Sequence, residues 1–419
     1  MCARDRGDGG CCVSEGVTPQ LLHGGNVFDG RDFVGARDVL ISDGVIADVD
    51  VGLSVGTDVE VVDCSGRTVM PGLIDAHVHL AWAGLDPPPA DAAVSKARAV
   101  GNAARLLAAG ITTVRDTGGP LEVLHAVRRD IAAGHVVGPD IVHCGRILCA
   151  PGGHGAEYPL PVPIAAECSG PGGFRAGVRS QLAGGALAIK VALNGASGRV
   201  ELTIDELRAV VDEAHAAGVR VACHASVRDA VALAVDCGVD TIEHGNGLDD
   251  ALAKEMARRG IGLVPTTAIF RELKDQFDAD TSPPDDLRTA QRCAVDQRIA
   301  EHVTTMAAAL NAGVTIGFGT DRVPGGDVVA IVPEAVTLQR YGLSITQVLR
   351  ALTSINAQLL GLSDRGMIRA GARADIVVFD GELGSDLRTL ASPHLVVTGH
   401  VQTGPYRCGA RQRRQLPGG

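Results

Sequence analysis

What most restricts this chain is an alternation. Short apolar runs of strand character fall at 71–80, 112–116, 141–144, 187–193, 220–225, 240–244, 262–266 and 315–321, and helical segments lie between most of them. An alanine-rich segment near 90–109 ends at Gly110, another spans 121–133, and Thr203 with Asp205 and Glu206 supplies a cap-like start before 207–217. Strands joined by helical crossovers imply a parallel sheet, and eight of them imply a closed (β/α)8 TIM-like barrel in an α/β protein. The rival is an open doubly wound sheet. No Gly-x-Gly-x-x-Gly turn follows a strand to support its nucleotide site.

The flanks read differently. Residues 20–69 hold short β patterns broken by turn signals: Gly24-Gly25-Asn26, Asp29-Gly30, Ser42-Asp43-Gly44 and Ser65-Gly66. After a last helical stretch near 333–360, β texture returns at 366–380 and 395–397. The N-terminal strands are too few to bury a core alone. The expectation is therefore a flexible leader over 1–19, a composite β-sandwich domain from 20–70 and 366–405, a hydrolase-type barrel over 71–365, and a basic tail over 406–419. The cations of that tail, Arg407, Arg411, Arg413 and Arg414, read as a solvated end.

Composition narrows the partners. A hydrophobic share of 46% with 21% charged residues is ordinary for a globular protein, and 54 glycines with 3% aromatics suit tight βα turns and aliphatic helices. A formal charge of -11 argues against nucleic acid. The 11 cysteines are scattered, and Cys144, Cys223 and Cys237 sit in apolar runs as small hydrophobes. The leader has no signal-peptide core, and no apolar run reaches the length of a membrane span. A reducing, cytoplasmic location without a membrane partner is the expectation, and a homo-oligomer is left open.

The chemistry concentrates at strand ends. In Pro71-Gly72-Leu73-Ile74-Asp75-Ala76-His77-Val78-His79-Leu80, strand alternation puts His77 and His79 on one face with Asp75. A paired His-x-His in an apolar strand favours metal ligation over two histidines satisfied in a core. Barrel active sites gather where the C-terminal strand ends converge. The later strands deliver Lys190, His224, His244 and Asp321 to that rim. Lys190 is the least expected, since a bare ammonium in an apolar strand is penalised and its pKa depressed. It reads either as a neutral amine able to form a carbamate with carbon dioxide, or as a lysine that snorkels to the rim or pairs with an acid.

In the words "PGLIDAHVHL", "IKVALNGA", "VACHAS", "TIEHG" and "GFGTD" the chain resembles the amidohydrolase superfamily over nearly all its length, most of all the branch of imidazolonepropionases and metal-dependent prolidases and carboxypeptidases. The resemblance implies two divalent metal ions, usually zinc. One would be held by His77, His79 and Asp321, the other by His224 and His244, with carbamylated Lys190 and a hydroxide bridging them. It implies hydrolysis of an amide or peptide C–N bond, with Asp321 moving the proton to the leaving nitrogen. A Gly-Gly-His-Gly word recurs in the prolidase-like branch, which makes His154 a candidate hydrogen-bond donor to the substrate carbonyl.

The rest of the pocket is read from position. Tyr158 is either a mouth residue or packing, and Asn194 and Asn246 follow Lys190 and His244 closely enough to reach a ligand. Arg322 stands where a small residue is expected; it either clamps a substrate carboxylate or pairs with Asp327. Ser226 replaces the histidine that relatives often carry there. Residues 270–292 look like an elaborated loop over the mouth, able to act as a lid. A deaminase would need a glutamate where Val227 stands. Carboxypeptidase-like cleavage is the first choice, with follower removal in peptide maturation as a variant. Cyclic imide or lactone hydrolysis, including imidazolonepropionase-like ring opening, is the alternative, and a deaminase or noncatalytic scaffold stands behind it.

Overall fold

The computed structural model describes residues 18–84, 86–158, 160–195, 197–279, 285–321, 331–391, 393–399 and 406–407, with backbone alone at 285–288, 290–291 and 406–407. Most of the leader, Arg322, Asp327 and the tail beyond Arg407 lie outside these residues.

The chain opens with β1 (Gln20–Phe28), β2 (Phe33–Ser42), β3 (Val45–Asp50), β4 (Glu60–Asp63) and β5 (Arg67–Pro71). A parallel series follows: β6 (Leu73–Val78), β7 (Ile111–Asp116), β8 (Asp140–His143), β9 (Ile147–Cys149), β10 (Ala165–Glu167), β11 (Ile189–Ala192), β12 (Val221–Ala225), β13 (Thr241–His244) and β14 (Gly262–Val264). β15 (Ile376–Asp380), β16 (Pro393–Val397) and β17 (Tyr406–Arg407) close the chain. The helices are α1 (Ala92–Ala108), α2 (Leu121–Ala132), α3 (Gly170–Ala183), α4 (Ile204–Ala216), α5 (Arg228–Cys237), α6 (Asp250–Arg259), α7 (Ala268–Ala279), α8 (Asp285–Ala312) and α9 (Ile331–Arg340), then α10 (Ile345–Arg350), a π turn at Ala351–Ile355 and α11 (Asn356–Leu360). None among the described residues is long and apolar enough to cross a membrane.

The two chain ends meet in one eight-stranded sheet, ordered β17-β16-β15-β5-β1-β2-β3 with β4 against β1. β15 runs antiparallel to β5, placing Val378 opposite Val69. Leu22, Val27, Val39, Ile46 and Val69 from the first end and Ile376, Val378 and Leu395 from the second bury together. Neither end has that core alone, which is why the segments pair across the whole sequence. Tyr406 and Arg407 extend this sheet two positions past 405.

The parallel strands form two ladders, β6-β7-β8 and β10-β9-β11-β12-β13-β14. Backbone hydrogen bonds run between them: Leu187 donates to His143 at 2.9 Å, and at the far side Ala76 donates to Phe318 at 2.9 Å and Asp321 to His77 at 2.8 Å. Segment 315–318 also exchanges bonds with Leu263 on β14. The buried Asn356 amide ties this seam, donating to Ile74 and Phe318 carbonyls at 2.7 Å and accepting from the Phe318 amide at 3.0 Å. Gly319 permits it, because a Cβ there would stand 2.7 Å from that of His77. Local signals hold as read at α4, where Thr203 and Glu206 make a reciprocal capping box.

Four sequence expectations need correction. Residues 270–292 are mostly helical, in α7 and α8, not an elaborated loop. These helices are held by ion pairs, Lys274–Asp296 at 2.9 Å and Arg292–Asp278 at 2.7 Å. The stretch 333–360 is not one helix. It breaks at Gly342 (φ +109°), and Ser344 with Gln347 caps the restart. The pair β9–β10 is additional to the strand runs read from the sequence, and the loop carrying His154 follows β9. The run 315–321 is not a continuous strand: only Ile316 bridges, to Leu263, and Asp321 at its end is left-handed.

His143, at the end of β8, is fully buried with neither ring nitrogen hydrogen-bonded. Its ring lies 5.9 Å from that of His125 on α2. Burial, then His125 and Arg128, push its pKa down to about 4. A neutral buried imidazole that protonates readily only when unfolded makes the unfolded state bind more protons between the ordinary histidine value and about 4. Stability should therefore fall as pH drops through that window. His143→Leu should remove a part of that loss of order 2–3 kcal/mol, read as the difference in denaturation midpoints between pH 7 and pH 4.5.

Candidate metal centre

β6 carries His77 within the strand and His79 just after its last residue. Segment 315–321 brings Asp321 against both. Its Oδ1 lies 3.3 Å from Nε2 of His77 and 3.2 Å from Nε2 of His79. Oδ2 lies 3.9 Å from Nδ1 of His244, from β13. Donor atoms of His77, His244 and Asp321 all fall within 4.8 Å of one another. The imidazoles continue as a row, with centroids 5.3 Å apart for His77–His244 and 4.7 Å for His244–His224. His154 stacks on His224 at 4.1 Å.

Electrostatics prepare these groups as electron-pair donors. Burial pushes the His224 and His244 rings well below the ordinary histidine value, so both are neutral. Burial alone would raise Asp321, but His77 and the hydrogen bonds from His77 and His79 outweigh it and hold the carboxyl well below the usual range. Lys190, on β11, is 2% exposed, and its Nζ has no hydrogen-bond partner. Burial pushes its pKa down against the pull of Glu243. It neither snorkels to the rim nor forms an ion pair. Four imidazoles, a carboxylate and an orphaned amine beside them are a donor set that suits a divalent metal ion.

A ring nitrogen of each of these four histidines meets a protein oxygen. His77 Nδ1 donates to Glu243 Oε2 at 2.7 Å, and His79 Nδ1 to the Gly118 carbonyl at 2.8 Å. Thr266 Oγ1 is 2.7 Å from His244 Nδ1, and Ser226 Oγ is 3.3 Å from His224 Nε2. Such outer contacts fix which nitrogen is left for a ligand. Three non-glycine residues of the rim take left-handed backbone: His244 (φ +68°), Asp321 (φ +52°) and Thr266 (φ +48°). That conformation costs energy and persists only where the surroundings impose it.

Sequence reading missed the group beneath. Glu243 is fully buried and takes Arg115 Nη2 at 2.7 Å and the Thr241 hydroxyl at 2.6 Å as well as His77. Arg115 also donates from Nε to the Ala76 carbonyl at 2.7 Å. Glu243 and Arg115 stood inside the words "TIEHG" and "TTVRD", where a charged residue in an apolar strand was the available signal. Asn194 is fully buried and exchanges two hydrogen bonds with Ser226, so its amide is engaged. Asn246 is also buried and donates to the Arg298 carbonyl at 3.3 Å. Tyr158 is 47% exposed with its ring 6.2 Å from that of His154. Arg322 is outside the described residues.

With a parallel strand-and-helix body and this histidine–aspartate cluster in view, the chain belongs to the amidohydrolase family, whose model matches residues 68–403. It is a hydrolase acting on C–N bonds. It is 28% identical over 379 residues to ochratoxinase of Aspergillus niger, covering 80% of this chain and 74% of that protein. Imidazolonepropionase of Mesorhizobium japonicum is 27% identical over 383 residues, 81% and 84% of the two chains. A solved prolidase structure in complex with N-methylphosphonate-L-proline superposes with a TM-score of 0.81 at 29% identity, covering 92% of this chain and 99% of that one.

The buried Arg115–Glu243 pair yields a test of what holds the centre in place. Arg115→Met should leave Glu243 charged and unpaired, destabilising the fold by about 3–5 kcal/mol, measured by equilibrium chemical denaturation.

Proposed function

We propose that this chain hydrolyses an amide or peptide C–N bond with two divalent ions, zinc by expectation, held by His77, His79, His224, His244, Asp321 and carbamylated Lys190. The observation that carries this reading is the Lys190 amine, buried and without a partner beside that cluster. Its neutral nitrogen can add to the carbon of carbon dioxide and release a proton. The resulting carbamate anion offers two oxygens in place of an unsatisfied donor. When bound, the ions supply Lewis acidity that activates water and polarises the scissile carbonyl.

The residues then divide the work. Asp321 receives the proton of the attacking water and passes it to the leaving nitrogen, its carboxyl being kept ionised by the surrounding imidazoles. His154, stacked on His224, donates to the substrate carbonyl, and Tyr158 lines the mouth beside it. Asn194, Asn246 and Arg322 complete the substrate contacts in this reading, Asn194 through Ser226. We place the site on a closed (β/α)8 barrel beside a sandwich-like domain built from both chain ends. The bonds from the Ala76 amide to Phe318 and from the Leu187 amide to His143 support closure. The free buried thiols of Cys64, Cys144, Cys149, Cys168 and Cys223 support a reducing, cytoplasmic location.

For substrate, removal of a C-terminal residue from a dipeptide or longer peptide fits best, follower removal in peptide maturation included. Similarity to a prolidase solved in complex with N-methylphosphonate-L-proline favours it. A panel of dipeptides, N-acyl amino acids and cyclic imides offered to the metal-loaded protein tests it. Turnover of the linear amides is expected; turnover of cyclic imides alone would move the assignment to ring opening.

Elemental analysis should find close to two divalent ions per chain, and a value near one would remove the bridged pair. Lys190→Ala should lose activity that short carboxylic acids with added metal partly restore. Asp321→Asn should keep the fold by circular dichroism while turnover falls at least about 100-fold.

A further inference from the structure

Glu334 lies on α9, fully buried and outside the candidate ligand set. Its carboxylate grips the turn between β14 and α7. Oε1 accepts from the Thr267 amide at 3.0 Å, Oε2 from the Ala268 amide at 2.5 Å, and the Thr267 hydroxyl sits 3.1 Å from both oxygens. The residue immediately before this turn is Thr266, held in left-handed backbone, whose hydroxyl meets His244 Nδ1. The residues immediately after it begin α7, where Phe270 sets its ring edge-on to His244 at 6.5 Å.

We infer that Glu334 is a positioning residue: by clamping the Thr267–Ala268 amides it holds Thr266 against His244 and seats α7 over the site.

A plain helix start does not need such an arrangement. A local serine, threonine or aspartate satisfies the first amides of a helix without burying a carboxylate. Here the acceptor comes from 66 and 67 residues away and sits wholly in the interior. Burial pushes its pKa up to about 7 against the pull of the Thr267 and Ala268 donors, with Asp75 adding to the rise. A group that expensive to bury is accounted for by what it fixes. On one side that is a candidate ligand's free nitrogen, on the other the helix above it. Glutamine is the informative replacement. It keeps the shape but sets an NH2 against one of two backbone N–H donors, so half of the clamp is lost.

The test compares Glu334→Gln with Leu338→Ala, a fully buried apolar position on the same helix. The chelator and kinetic arms rest on the reading of His244 as a ligand; the structural arm does not. In a crystal structure of Glu334→Gln, Thr266 should leave left-handed backbone and its hydroxyl should part from His244. Chelator titration should strip metal at about tenfold lower chelator concentration than from wild type. kcat should fall about tenfold with KM within twofold. Leu338→Ala should lower the melting temperature at least as much, yet leave metal retention and kcat unchanged. An intact Thr266–His244 contact in Glu334→Gln would overturn the inference. So would metal retention that declines in Leu338→Ala in step with melting temperature. A wild-type protein that binds no metal would sink the proposed function alone, and the crystal structure of Glu334→Gln would still decide the role of Glu334.

Discussion

Beneath the candidate centre one buried carboxylate, Glu243, joins three strands. It reaches Arg115 on β7 and His77 on β6 from its own place on β13, so it crosses the interior between strands far apart in the sequence. Removing two charges from water is costly, and the pair is tolerable only because nearly every polar atom finds a partner. Its return is in orientation. The Glu243 oxygen that takes Nδ1–H of His77 leaves Nε2 facing Asp321. The same carboxylate is the main opposition to the depression of the Lys190 amine by burial. The interior is therefore organised by an acid whose role is to aim and balance its neighbours.

The same device recurs around the rim. Asp75 accepts from the Thr320 hydroxyl at 2.7 Å and from the His77 amide at 3.0 Å, bracing the turn into Asp321. Asp116 accepts from the Leu80 and Gly118 amides and so shapes the loop whose carbonyl holds His79. Burial pushes Asp75 up to about 6 and raises Asp116 as well. The strained backbone of Asp321 and His244 is the counterpart of these braces, since a left-handed aspartate or histidine relaxes unless its neighbours are fixed.

How much of this was legible follows from what a sequence can encode locally. His77 and His79 announce themselves by period-two spacing, and Lys190, His224, His244 and Asp321 by being polar at the ends of apolar runs. The composite sheet was legible because neither end carries enough strands to fold alone. Glu243 and Arg115 were hidden, because the meaning of each depends on a partner more than a hundred residues away. Glu334 sits in a helix whose pattern gives no hint that its carboxylate faces inward. The helices α7 and α8 are masked in the sequence by the turn residues between them, and the ion pairs that join them link residues 14 to 22 apart. Asn194 is legible as a polar residue just past Lys190, but its two hydrogen bonds to Ser226, 32 residues on, are not.

The sheet made from both ends has a consequence for the chain's birth. β5 waits for a neighbour that leaves the ribosome 313 residues later, as the pairing of Arg67 with Asp380 records. At bacterial or eukaryotic synthesis speeds that is an interval of about 15–60 s. Through it the edge of β5 is exposed next to the strand that carries His77. A nascent chain of this kind is open to wrong pairing until residues 376–380 emerge, so chaperone demand should persist through that interval.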